Sequence, residues 1–271
     1  MDELTEVLSQ ARAALKSGDT ESAVRLYLRA QALSPRDPEI PHERGLALLE
    51  TGDVGLAALA QAEALALDSG HVGARAQRAA ALEALGDDEG AARELRDLLS
   101  RIGPQPALSA RLFSLEQSAQ RAASRRLLGA SPGRLAASPL IGSALASDIS
   151  DPLTFRAPFA ELHVEVRHGV VARLDFVFDS MDASLGRSDL TYGGSTEDEH
   201  GRRVPLDEFT AAGIVFLSES LGMEPLRARR MLSFLLAPEC GLGPHRFAGA
   251  NLGWTISGAN GGRRYGLSVE I

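Results

Sequence analysis

Cysteine, lysine and aromatic residues are scarce in this chain of 271 residues. Its one cysteine, Cys240, cannot form an internal disulfide, so nothing in the sequence calls for an oxidising compartment. Lysine also occurs once, as Lys16, and the other 27 of the 28 basic side chains are arginine. With many Ala and Gly residues, this bias is typical of a GC-rich genome and indicates a bacterial source. It also weakens any argument from a single arginine.

Long apolar runs and a targeting segment are absent as well. The first residues, Met1–Glu6, have neither the basic nor the apolar region of a signal peptide. No apolar run approaches the roughly 20 residues that cross a bilayer. We therefore expect a cytoplasmic protein without a membrane partner. Residues 1–104 carry 18 acidic and 11 basic side chains, a balance of −7 within the net charge of −8, which disfavours nucleic acid as a partner.

Motifs of known chemistry are also missing. The sequence contains no Walker phosphate loop, dinucleotide-binding glycine fingerprint, zinc-ligand spacing or nucleophile elbow. It therefore predicts no catalytic residue, no metal ligand and no cofactor.

Four groups of polar residues nevertheless have a chemical alternative. His163, Glu165, His168 and Asp175 could bind a metal, but the alternation of a half-buried sheet already accounts for them. Cys240 and His245 leave a nucleophile pair open, although a structural cysteine is commoner. The run 197–200 is most simply a solvated loop. An anion pocket and exposed positions explain the arginines equally well: Arg202, Arg203, Arg227, Arg229, Arg230, Arg263 and Arg264.

The N-terminal part of the sequence contains a repeat with one constant period. The repeated elements are the pairs Gly18-Asp19, Gly52-Asp53 and Gly86-Asp87, followed by Ala23, Ala57 and Ala91. A Gly-Asp pair suits a turn that ends one helix and begins the next, because glycine tolerates a left-handed backbone. The alanines suit a helix crossing, where a larger side chain would push the helices apart.

This pattern, over residues 4–104, resembles the tetratricopeptide repeat, whose period of about 34 residues is the spacing of the Gly-Asp pairs. The resemblance implies three pairs of helices, each with a helix A and a helix B, stacked as a solenoid. The tryptophan that the family carries in helix A is absent. The apolar face of the segment 105–127 predicts a helix that caps the stack. The repeat register also places Ala57 at a crossing, and Ala84 and Ala92 at exposed positions.

In this family helix A lines the inner face that binds partners. The resemblance implies an inner face made of Thr5, Leu8, Arg12, Leu15, Glu39, His42, Leu46, Leu49, Ala76, Ala80 and Glu83. This lining lacks the Lys/Asn set by which some members hold a terminal carboxylate. It suits an amphipathic helix or an extended peptide with aliphatic anchors. The alternative occupant is the chain's own segment 129–158.

The C-terminal part changes from helical periodicity to strand periodicity. Residues 128–158 are rich in Gly, Ala, Ser and Pro and predict one or two short helices, beginning at Ser131-Pro132 and Ser138-Pro139. The pattern beyond predicts an α+β domain with an antiparallel sheet and two helices. Its predicted elements are a hairpin over 162–178, a weak strand near 189–192, helices over 205–221 and 225–236, and a hairpin over 252–271.

The sequence therefore predicts a multidomain chain: an all-α solenoid of three helix pairs plus a capping helix (1–127), a junction (128–158) and an α+β domain (159–271). The function favoured is an adaptor or scaffold that binds a helix or peptide of a partner on the inner face. The C-terminal domain would bind a second partner or dimerise. The alternative is an enzyme or small-ligand-binding domain to which the repeats recruit a protein or peptide substrate.

Overall fold

Two compact units divide the chain between Ser118 and Ala119. The computed structural model describes residues 3–138, 146–148, 153–157, 160–179, 191–197, 203–236, 244–247, 249–259 and 262–271. Among these residues, no helix is both long enough and apolar enough to cross a membrane.

The first unit consists of helices. They are α1 (Glu3–Lys16), α2 (Thr20–Leu33), α3 (Glu39–Glu50), α4 (Val54–Leu67), α5 (Val72–Leu85), α6 (Asp88–Ile102) and the first part of α7 (Pro106–Arg125). Within each pair the two helices pack together, and α2 packs on α3 as α4 packs on α5. The predicted solenoid of three helix pairs is thus confirmed.

The turn between helix A and helix B is the same in all three repeats. Gly18, Gly52 and Gly86 have φ angles of 82°, 83° and 88°, a region that glycine adopts without strain. The amide of the following aspartate then donates back into helix A, as from Asp53 to the Leu48 carbonyl oxygen over 3.0 Å. In the third repeat the Asp87 carboxylate also caps α6, accepting from the Gly90 amide over 2.7 Å.

The helix crossings are lined by alanine and glycine. Ala23, Ala57 and Ala91 are fully buried. A methyl group added at Gly45 would lie 2.3 Å from Nε2 of Gln61 on α4, so glycine is needed there for close packing. The prediction for Ala57 is confirmed. The prediction for Ala92 is wrong, because Ala92 is 3% exposed in the packed face of α6, and Ala84 is half-buried.

Two arginines at the same position of successive repeats tie helix A to helix B. Arg44 on α3 donates to Glu63 on α4 over 2.8 Å, and Arg78 on α5 pairs with Glu94 on α6. Arg44 and Glu94 are buried. Removing Glu63 would leave the buried Arg44 without its carboxylate partner, whereas Glu94 without Arg78 would still be paired with Arg75.

The second unit is an antiparallel sheet packed against two helices. Its helices are α8 (Glu208–Leu221) and α9 (Pro225–Leu236). Its strands are β1 (Ala146–Asp148), β2 (Leu153–Ala157), β3 (Ala160–Arg167), β4 (Val170–Asp179), β5 (Thr191–Glu197), β6 (Arg203–Asp207), β7 (His245–Phe247), β8 (Ala250–Ala259) and β9 (Gly262–Glu270). Seven strands form one sheet in the order β1-β2-β3-β4-β9-β8-β7, and β5 pairs with β6. The predicted α+β class is confirmed.

Alternating apolar side chains on the sheet meet the helices. Leu162, Leu174 and Leu267 are buried on one face, and the rings of Phe176 and Phe216 stack with centroids 5.4 Å apart. Gly213 lets α8 approach closely, since a methyl group there would lie 2.9 Å from a Leu232 methyl carbon. The core of this unit therefore lies between the sheet and the two helices.

Several elements differ from the prediction. A 3-10 helix covers Pro132–Ala137, as expected, but β1 and β2 lie where only short helices were predicted. At the second predicted start, Ser138 ends the 3-10 helix, with its amide donating to the Leu135 carbonyl oxygen, and Pro139 lies outside the described residues. Residues 203–207 form β6, not the start of a helix. Pro205 is compatible with β6 because, in the part of the chain that the structure describes, β6 pairs with β5 alone and its other edge needs no amide donor.

Residues 119–130 belong to the second unit. Leu127 and Leu128 donate their amides to the carbonyl oxygens of Glu219 and Ser220, over 2.9 and 3.2 Å. Gly129 donates to Val171 over 2.8 Å, next to the start of strand β4. The boundaries 1–127, 128–158 and 159–271 remain a prediction. The hydrogen bonds explain why the compact units divide earlier, within α7.

Ala57→Leu should destabilise the first unit by about 1–3 kcal/mol, because the extra carbons have no space at a fully buried crossing. The matched control is Ala66→Leu on the same helix, where the alanine is exposed and the change should stay within about 0.5 kcal/mol. Urea unfolding followed by circular dichroism measures both. Equal midpoints for the two variants would contradict the register.

Gly222→Ala should destabilise the second unit strongly. Its φ is 70°, and an added methyl group would lie 2.2 Å from the Ala122 carbonyl oxygen, which belongs to backbone and cannot swing away. Gly169→Ala is the control, since Gly169 has a similar φ of 77° but open space around it. The control should lose only the conformational cost of about 1–2 kcal/mol. Equal losses in urea unfolding would show that the contact with Ala122 does not matter.

Candidate functional site

The inner face is defined by how exposure varies along the A helices α1, α3 and α5. Ala11, Gly45 and Ala79 are buried against the helix crossings, whereas the next residue in each helix is half-buried or exposed. These next residues are Arg12, Leu46 and Ala80. All eleven residues predicted for the inner face are half-buried or exposed, and none is buried.

The four leucines of the inner face do not have the same role. Leu8 and Leu15 pack partly on the core cluster of the first unit, and Leu49 packs on the cluster around Leu48 and Ala57. Among the described residues, Leu46 is not one of the side chains packed on these clusters. Of the four leucines, Leu46 is therefore the one that these two clusters do not include.

Arg12 is held by a carboxylate of the second repeat. Its guanidinium donates to both oxygens of Glu43 on α3, with Nε–Oε2 at 2.9 Å and Nη2–Oε1 at 2.6 Å. Burial would raise the pKa of Glu43, but hydrogen bonds from Arg12 and the Tyr27 hydroxyl outweigh it and lower the pKa. Burial and the bond to Glu43 raise the pKa of Tyr27 above its ordinary range. These three side chains link the first repeat to the second.

Glu83, at the other end of the inner face, is also paired. Nε of Arg111, on α7, donates to Oε2 of Glu83 over 2.6 Å. Together with Arg12, this means that both charged residues at the two ends of the inner face already have partners. A ligand therefore does not meet a free charge at either place.

His42 lies at the contact between the second and third repeats. Its Nδ1 is 2.8 Å from Oε1 of Gln61, and the Gln61 amide nitrogen donates to the His42 carbonyl oxygen over 3.1 Å. Gln61 is fully buried, so these bonds fix the imidazole. The ring of His71 lies 4.6 Å from that of His42, and Nδ1 of His71 caps α5 by accepting from the Ala74 amide. His42 thus presents a ring of fixed orientation.

The sequence did not identify Tyr27, Glu43, Gln61, His71 or Arg111 as neighbours of the inner face. Each contacts a predicted residue through a side chain from another helix. The available signal was weak: Glu43 follows His42 directly, and charged residues are common on exposed helix positions. Long-range pairing of this kind requires the packing of the helices, which periodicity alone does not give.

The groups considered for chemistry in the second unit form no site among the described residues. No group of three or more His, Cys, Asp or Glu there could hold a metal ion. His163 lies opposite Asp175 in the sheet, but Asp175 binds Arg173 and Glu165 binds Arg167. His168 lies in the turn with a φ of 53°. These residues form the polar side of a half-buried sheet.

The remaining candidates can be placed only in part. His245 lies in β7, where its ring contacts Phe234 at a centroid distance of 5.4 Å, and Cys240 lies outside the described residues. Residues 198–200 and Arg202 also lie outside them. Arg227, Arg229 and Arg230 lie on α9 and each has an interaction partner. Arg203 lies in β6, and Arg263 and Arg264 lie in β9.

No protein-family model and no curated protein matches the sequence. Solved structures of tetratricopeptide domains are similar to its N-terminal part. The first such domain of Spaghetti (RPAP3), bound to an HSP90 peptide, is 21% identical and has a TM-score of 0.40, with 43% of this chain and 92% of that chain covered. The Arabidopsis OM64 domain is 23% identical, with coverages of 42% and 94% and a TM-score of 0.39. The Yersinia enterocolitica secretion chaperone SycD, in complex with a YopD peptide, is 19% identical, with coverages of 43% and 95% and a TM-score of 0.40.

Glu43→Gln should make the first unit less stable at neutral pH, because the charged carboxylate is stabilised by Arg12 and Tyr27. A lowered folded pKa gives stability that is present above the ordinary glutamate pKa of about 4.3 and is lost as pH falls through the folded value. The difference in melting temperature between the two proteins should therefore shrink from pH 7 to pH 3. Glu50→Gln, at an exposed position of α3, is the control and should show little difference at any pH.

Proposed function

We propose that the protein is an adaptor that binds a helix or an extended peptide of a partner protein on its inner face. The observation that carries the proposal is the exposure register of α1, α3 and α5. The same three helices that bury small residues at their crossings leave Leu46 and the residues around it accessible on one side. The proposal keeps the bacterial source and cytoplasmic location that the sequence favours.

The charges of the inner face indicate which peptides it would prefer. Arg12 is bound to Glu43 and Arg111 to Glu83, so neither guanidinium is free to hold a terminal carboxylate. Binding such a carboxylate would first require one of these pairs to break. Leu46 and the small surfaces of Ala76 and Ala80 instead offer apolar contact. The best ligand is therefore a segment with aliphatic anchors and little charge.

The interactions of the segment 129–158 favour an external ligand over self-occupation. Residues 127–130 bond to α8 and to Val171, and Leu135 in the 3-10 helix is buried. Strands β1 and β2 are paired within the sheet. The described residues of this segment are therefore engaged in the second unit, which supports an external ligand on the inner face.

The second unit has a separate role in this proposal. Its sheet has a polar face on which Glu165, Arg167, Arg173 and Glu270 form ion pairs. We assign this unit to a second partner, so that the chain connects two molecules. The carrying observation for the adaptor remains the inner face, and a test should begin there.

Leu46→Glu should weaken binding of a selected peptide about thirtyfold, because an anchor side chain commonly contributes ~2 kcal/mol. Peptides would be selected from a random display library on the full chain, and affinity measured by fluorescence polarisation. Leu67→Glu is the matched control, since Leu67 is an exposed leucine (42%) at the end of α4. The control should bind like the wild type, and both variants should keep its melting temperature.

Two results would overturn the proposal. One is that no peptide is enriched on the wild-type chain. The other is that Leu46→Glu binds the selected peptides as tightly as Leu67→Glu does, which would place the binding surface elsewhere.

A further inference from the structure

Helix α7 carries the most exposed large apolar side chain among the described residues. Phe113 is 62% exposed, compared with 50% for Leu28, the next highest. The opposite side of α7 faces the solenoid through Leu115, which is 4% exposed. Exposing a large aromatic side chain to water is unfavourable in free energy, and such a side chain often marks a contact surface.

The repeat register shows which face Phe113 occupies. Leu115 lies one repeat period after Ala81 and two periods after Ala47. Ala47 belongs to the core cluster that it forms with residues of the first repeat. By the same spacing, Phe113 corresponds to Ala79 and Gly45, the small residues that pack against helix B. By sequence spacing α7 begins where a fourth helix A would begin, and Phe113 has the position that faces helix B in the earlier repeats.

No helix B follows in the described part of the first unit, where α7 is the last helix. Another repeat could not cover this face either. The crossing requires a residue as small as Ala79 or Gly45, and a phenylalanine would hold a helix B several ångströms away. The face is therefore suited to a contact of a different geometry.

The strip of α7 that runs through Phe113 contains no charged residue, although Glu116, one turn from Phe113 and 44% exposed, flanks it. We call it the outer strip and define it as Pro106, Ser109, Ala110, Phe113 and Gln117, all of which are exposed. The charged residues of α7 in this unit lie beside it and bind back to the solenoid, Arg111 to Glu83 and Glu116 to Arg96.

An uncharged strip on an acidic unit suggests its occupant. Residues 1–104 have a balance of −7, so two copies of the chain repel each other over most of this unit. They can meet without like-charge contact at the outer strip. A charged partner would gain no ion pair there, whereas a second outer strip offers small side chains at Ser109 and Ala110 for each phenylalanine ring.

We propose that the outer strip is a self-association surface, at which two α7 helices pack about a two-fold axis near Phe113. In such an isologous contact each Phe113 lies over Ser109 and Ala110 of the other copy. The surface of one helix strip is smaller than the roughly 1,200–2,000 Å² of a stable interface, so the dimer is weak, with a dissociation constant in the micromolar range of about 1–100 µM.

Sedimentation equilibrium of the full chain between about 1 and 300 µM tests this proposal. The wild type should pass from monomer to dimer over this range, and Phe113→Glu should remain a monomer with unchanged circular dichroism. Phe113→Leu, which keeps an apolar side chain, and Leu28→Glu, which changes an exposed leucine on α2, should still dimerise. If Phe113→Glu proves unstable, Ala110→Glu on the same strip gives the same test.

A wild type that stays monomeric throughout the range would overturn the proposal. So would a Phe113→Glu or a folded Ala110→Glu variant that dimerises as the wild type does, or a wild type that grows beyond a dimer, since an isologous contact closes at two copies.

Discussion

The close contact between helix A and helix B in each repeat is the constraint on which the solenoid depends. Ala23, Ala57 and Ala91 are fully buried where the helices cross, and a methyl group at Gly45 would require the buried side chain of Gln61 to move. The turn at Gly-Asp delivers the two helices to this contact in the same way three times. Because the crossing fixes how each helix A is rotated, it also decides which residues form the inner face and which face Phe113 occupies.

The inner face combines fixed polar groups with a few apolar side chains. Arg12, Glu43 and Tyr27 connect two units, and Gln61 holds His42 in one orientation. Such groups lose little conformational freedom when a ligand binds, because their neighbours have already ordered them. The face is therefore better suited to a ligand that matches its shape than to one that brings charge to an empty pocket.

The solenoid could be predicted from the sequence because its information is local. The repeat period located every turn, and the exposure of Leu46 and Ala80 follows from the same register. The prediction for Ala92 was wrong because the buried face of α6 is wider than the repeat register indicates and includes Ala91, Ala92 and Leu95. Pairing partners such as Glu43 and Arg111 could not be predicted, since they lie on other helices. In the second unit, Pro205 fits both a first helical turn and an edge strand, so only its pairing with Ser195 distinguishes the two. Strands β1 and β7, with three residues each, are too short to show an alternation, whereas Leu153–Ala157 does alternate but lies in a stretch rich in Gly, Ala, Ser and Pro.

The hydrogen bonds of residues 127–130 have a consequence for how this chain can be inherited. Leu127, Leu128 and Gly129 complete the second unit, and Ala122 fits against Gly222. A gene rearrangement that joined the C-terminal domain to a different partner would keep it intact only if the break fell before these residues, inside the coding sequence of α7. The end of α7 and the residues that follow it therefore belong structurally to the C-terminal domain. We expect homologues whose repeats differ from these to retain them.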